Sequence, residues 1–158
     1  MNVTKQYQIV NSKNCSRVIQ PIKKKFQEAG VSFNPGFQTG LYAEYSYKGI
    51  SDCVVAWNSK GCHAEENLIN YLESKKYKFG DLVIYLSTSP CSSKYKTGTG
   101  CLEKLEKLKK GGMNIRVVAD HYYQPKGLGL AHPKSSSVEA AKDSDVIINI
   151  DKGPTLQL

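Results

Sequence analysis

Apolar residues recur along this chain with two periods, and the switches between them lay out its elements. In CSRVIQPIKKKFQEA, residues 15 to 29, Val18, Ile19, Ile22 and Phe26 fall at helical spacing and Gly30 is placed to stop the helix. Pro21 lies inside that pattern, so the first turn is expected to be irregular or to begin later. LYAEYSYKG and DCVVAWNS are strand-like runs joined through KGIS, which predicts a hairpin. Residues 63 to 75 return to the helical period with Ala64, Leu68 and Leu72, Tyr71 standing beside them. DLVIYLST is a continuous apolar run of the kind buried on both faces of a sheet. Residues 101 to 110 set Leu102, Leu105 and Leu108 on one stripe, pair Glu103 with Lys107 and Glu106 with Lys110 at i,i+4, and end at Gly111 and Gly112. NIRVVAD then reads as a strand, SSVEAAKD as a short helix and DVIINI as a last strand.

This order is that of an α/β protein. Strands alternating with helices in the second half imply parallel neighbours joined by right-handed crossovers, so strands 4 and 5 should be parallel, whereas the opening hairpin is antiparallel. A mixed five-stranded sheet between helices follows, a three-layer α/β/α arrangement. Its 158 residues fit one domain spanning 1 to 158.

Composition narrows the class. Hydrophobic residues make up 40% and charged ones 23%, the balance of a folding globular chain. The apolar runs are far shorter than the roughly 20 residues of a membrane helix, so no membrane association is expected. The start, MNVTKQYQIV, lacks the features of a secretory signal, which points to the cytoplasm, or to delivery into a target cell if this is a toxin domain. Five cysteines cannot all pair, so reduced thiols with a metal fit better than a disulfide framework. The net charge of +8, with lysines bunched in IKKKF, ESKKYK, SSKYK and KLEKLKK, suits a polyanionic partner, although any one cluster can be an ordinary solvated face.

The candidate chemistry lies in CHAEENLIN, residues 62 to 70, and TSPCSSKYKTGTGC, residues 88 to 101. Two residues along a helix rotate by about 200°, so His63 and Glu65 cannot both bind one metal as an i,i+4 pair does. If His63 is a ligand, Glu65 is free for proton transfer. Cys91 follows a strand end after Pro90, and Cys101 opens a helix whose dipole would favour a thiolate. One imidazole and two thiolates leave the fourth tetrahedral position of a Zn2+ ion open to water, the arrangement of a catalytic site. Cys62 and Cys53 are the reserve ligands. The ordinary alternative is a capped helix start with half-buried thiols.

The pattern His63-Ala64-Glu65, then Pro90-Cys91 and a further cysteine at 101, resembles the zinc-dependent cytidine deaminase superfamily, whose signature is H-x-E followed by P-C-x-x-C. The resemblance covers about residues 15 to 150 and implies the same cytidine-deaminase-like fold. One departure is plain: nine residues, SSKYKTGTG, separate the cysteines where the family has two. Such a loop can leave and return while Cys101 still begins its helix, but a helical turn no longer sets the ligand separation. The resemblance implies zinc on His63, Cys91 and Cys101, with Glu65 as proton shuttle.

Ser89-Pro90-Cys91 is similar to AID/APOBEC-type polynucleotide deaminases, with Thr88 where they carry tryptophan. DHYYQP is similar to the loop by which those enzymes touch the base and its 5′ neighbour, which assigns Tyr122 and Tyr123 to substrate binding, alongside Asn34, Phe37, Ala64 and Ser89. The implied reaction is conversion of cytosine to uracil in a polynucleotide, DNA favoured over RNA, taken single-stranded or with a flipped base. The lysine-bearing insertion is also similar to bacterial toxin deaminases, for which an immunity protein would be a partner. A free cytidine or nucleotide deaminase, an adenosine deaminase on nucleic acid and a noncatalytic zinc nucleic-acid-binding module are the competing readings.

Overall fold

Only two residues join the first two strands, β1 (Gly40–Tyr47) and β2 (Ile50–Trp57), and both take positive φ, Lys48 at 44° and Gly49 at 85°. That is the backbone of a type I′ turn, whose twist matches the strands it connects. It fixes the register at Tyr47 opposite Ile50 and Gly40 opposite Trp57. The computed structural model describes residues 19–30, 40–58, 62–90, 100–121 and 142–153.

β1 also pairs antiparallel with β3 (Gly80–Thr88), and β3, β4 (Met113–His121) and β5 (Ile147–Gly153) run parallel, giving the order β2-β1-β3-β4-β5. The predicted mixed five-stranded α/β sheet is therefore present, with its antiparallel opening hairpin and its parallel strands 4 and 5. Three helices accompany it among the described residues: α1 (Ile19–Glu28), α2 (Ala64–Ser74) and α3 (Cys101–Lys110).

The period-2 alternation of the strands sorts side chains onto two faces. Leu41, Ala43 and Tyr45 of β1, Leu82, Ile84 and Leu86 of β3 and Ile115 and Val117 of β4 pack with Leu68 and Leu72 of α2 and Leu105 of α3. On the other face Tyr42 packs with Ile22 and Phe26 of α1, with Val55, Trp57, Tyr85 and Val118 around them. Burial of each such aliphatic side chain contributes about 1.5–3 kcal/mol, so Leu82, Ile84 and Leu86 commit one face of β3 to core while the half-buried Tyr85 packs on the other. On that α1 face Phe26 meets Trp57 at 5.5 Å between centroids and Tyr42 stacks on Tyr85 at 5.5 Å.

Pro21 does not break α1, because it is the third residue, where no intrahelical N–H partner exists to be lost. The expected residues 15–18 of that helix lie outside the described residues, as do all but 142–143, which are helical, of the short helix before β5. β5 begins two residues later than the apolar run DVIINI suggests. Lys109 Nζ donates to the Asp145 carbonyl at 2.6 Å and the Val146 N–H to Ser144 Oγ at 3.1 Å, which diverts both groups from the sheet. No helix among the described residues is long and apolar enough to cross a membrane.

Candidate metal centre

β2 and β3 are both antiparallel to β1, so they run in the same direction and the helices that follow them begin at the same edge of the sheet. This topology brings His63 to Cys101. α2 starts at His63, its N-cap residue, in extended backbone (φ −75°, ψ 160°). Side-chain hydrogen bonds fix that start. The Ala64 N–H donates to Asn58 Oδ1 at 2.8 Å, Asn67 Nδ2 donates to the Trp57 carbonyl at 2.7 Å, and the His63 N–H donates to Glu66 Oε1 at 2.9 Å. The N-terminal amides of a helix have no partner within it, and here the neighbouring strand end and the helix's third residue supply them.

α3 begins differently. Gly100 is its N-cap, in the left-handed region at φ 83°, and as a glycine it brings no side chain of its own to cap the helix. The reversal aims Cys101 inward, fully buried, and Leu102 and Leu105 anchor the same turn in the core. Cys101 Sγ lies 3.4 Å from His63 Nδ1. Metal–nitrogen and metal–sulfur lengths of about 2.0 and 2.3 Å at a tetrahedral angle set two such ligand atoms about 3.5 Å apart. The pair therefore fits a shared zinc ion, and the same separation also suits a thiol–imidazole hydrogen bond.

Glu66 completes a group whose ligand atoms lie within 4.8 Å of one another, so His63, Glu66 and Cys101 can hold a metal ion. Its carboxylate is already engaged, one oxygen accepting from the His63 N–H and the other ion-paired with Lys104 of α3. The His63 amide first, then Lys104, hold its carboxyl below the usual glutamate range.

Glu65, the expected proton shuttle, is the second residue of α2 and only 5% exposed; Ala64 is fully buried and Ser89, just past β3, is 2% exposed. Cys91, Asn34, Phe37, Tyr122 and Tyr123 lie outside the described residues. The reserve ligands are not brought in. Cys53 is exposed on β2, its Sγ 3.7 Å from Tyr42 Oη on the α1 side of the sheet, and Cys62 is half-buried at the mouth of a groove between α2 and α3.

The sequence marks Glu66 only as the fallback for Glu65 in proton transfer, and it does not single out Asn58, Lys104 or the buried Asp120 at the end of β4. For Glu66 a signal existed: a glutamate three residues after a helix start is half of a capping box. For Lys104, 38 residues from its partner, none did. No protein-family model matches the chain, and no curated protein matches it.

Proposed function

We propose that this protein is a zinc-dependent hydrolytic deaminase that converts cytosine to uracil in a polynucleotide, DNA favoured. The observation that carries the reading is the 3.4 Å approach of His63 Nδ1 to Cys101 Sγ at the start of two helices, with the carboxylate of Glu65 buried in the first of them. An imidazole, a thiolate and the expected thiolate of Cys91 make a donor set suited to zinc with one position open. When bound, zinc lowers the pKa of a water molecule to near 7 and so supplies a nucleophile at neutral pH.

The rest falls to the chain's own residues. Glu65 would accept one proton from water and pass it to ring N3 as the oxygen attacks C4, then take the second proton from the new C4 hydroxyl and deliver it to the exocyclic amine as the C4–N bond breaks. Cytosine and water give uracil and ammonia. Reach to C4 requires a base outside a duplex stack, so the substrate is a single strand or a flipped nucleotide. The net charge of +8 supports a polyanionic substrate.

The test is metal analysis of the purified chain, followed by sequencing of a random-context oligonucleotide pool and assay of free cytidine. One zinc per chain, lost in Cys91→Ala and Cys101→Ala, with uracil in the pool, supports the reading. A zinc-free protein active after chelation refutes it. Conversion of cytidine alone moves the substrate to the free nucleoside, and inosine moves the target to adenine.

A further inference from the structure

His63 and Cys101 belong to different helices, 38 residues apart in sequence, so something must hold one helix start against the other. One turn beyond each residue stands a charged partner: Glu66 is three residues after His63, and Lys104 three after Cys101. Their side chains meet across the gap between α2 and α3. The other oxygen of Glu66 accepts from the backbone N–H of His63 itself, so this one carboxylate is tied both to the residue that carries the imidazole and to the helix that carries the thiol.

We propose that the Glu66–Lys104 pair is a positioning clamp that sets the distance between His63 and Cys101, with Glu66 bracing the site and not ligating the metal. This rests on the metal reading under Proposed function. Solvent-exposed ion pairs add little to stability, and Lys104 is 45% exposed, so the pair's role lies in geometry more than in folding energy. Glu66 is the less exposed partner at 22% and is oriented by the cap, which leaves Lys104 the one that docks onto a fixed carboxylate. Groups that orient metal ligands from behind shift metal affinity by about 10–100-fold when removed.

Clamp and ligand make opposite predictions for a substitution that touches neither His63 nor Cys101. In Lys104→Met, a clamp is lost and zinc should bind about 10-fold more weakly, whereas a glutamate freed from its lysine to become a ligand would leave affinity unchanged or tighter. The experiment is zinc competition against a chromophoric chelator on the full chain, with the cobalt(II) absorption spectrum and the melting temperature of each variant. The clamp requires weaker zinc binding and an altered cobalt spectrum in Lys104→Met at a melting temperature close to wild type, both restored in Lys104→Arg. Wild-type affinity and spectrum in Lys104→Met would overturn the clamp while leaving the zinc site standing, as would tighter binding, which would make Glu66 a ligand. A wild-type chain that takes up no zinc would overturn the metal reading and the clamp with it.

Discussion

The starts of α2 and α3 face each other at one edge of the sheet, and they are built in opposite ways. α2 is tied by side chains close in sequence: Asn58, Glu66 and Asn67 each satisfy or recruit a backbone group between Trp57 and Ala64. α3 opens on one left-handed glycine, which brings no side chain of its own to cap it, with Leu102 and Leu105 anchored in the core. One residue of the candidate metal pair is thus placed by local hydrogen bonding and the other by packing and a single backbone conformation. Redundant ties should tolerate the loss of one. A single conformation should not.

The largest effect is expected at the α2 start, though not through its architecture. Glu65→Ala should fold and keep its metal yet lose deamination by about 10²–10⁴-fold, read as ammonia or uracil formed; turnover near wild type would place proton transfer elsewhere. Next comes Gly100→Ala. A Cβ in the left-handed region costs about 1–2 kcal/mol, so the melting temperature should fall by about 2–8 °C and zinc affinity with it. If both stay at the wild-type values, α3 does not depend on that backbone, and the contrast between the two helix starts fails. Asn58→Ala removes one of several ties at α2, with an expected loss of about 0.5–2 kcal/mol in denaturant unfolding and little change in zinc affinity.

The smallest effect tests the far end of α2. Tyr71 and Tyr77 both donate to Asp52 Oδ2, at 2.5 and 3.1 Å, which ties the C-terminal half of α2 and the loop after it to β2. The hydrogen bond to Asp52, then burial, push the Tyr71 hydroxyl up to about 12. A raised acid of this kind lends stability that is complete below its unfolded value near 10 and is lost as pH climbs through the folded value. Between about pH 10 and about 12, wild type should therefore lose stability more steeply than Tyr71→Phe. Parallel curves for the two would show that the Asp52 contact does not bias this hydroxyl.

The same contrast explains how much could be read from residues alone. Hairpin, helices and the parallel second half follow from periodicity and turn chemistry, which act over a few residues, and so does the placing of His63 at a helix start. The sequence reading weighed capping as the ordinary role of His63 and Glu65. The structure gives the acidic half of that role to Glu66 and buries Glu65, a distinction that turns on one residue of helical rotation. Cys101 was legible as a helix start, but its distance from His63 was not, since no local rule spans 38 residues. The Lys104 contact is invisible for the same reason: KLEKLKK looks like any solvated face until α2 is laid beside it.

The two-residue turn at Lys48–Gly49 also has a consequence in time. Hairpins form in about 1–10 μs, whereas parallel pairs wait on the closure of long crossovers. We expect β1 and β2 to be protected first in pulsed hydrogen exchange, ahead of α3 and β4; simultaneous protection of all four would refute this sequence of events. On this order the segment bearing His63, which leads directly out of β2, is assembled against a preformed ribbon, and Cys101 arrives with the slower docking of β3 and β4. Zinc capture would then be a late event in folding, a lock closed on a nearly finished sheet rather than a seed from which it grows.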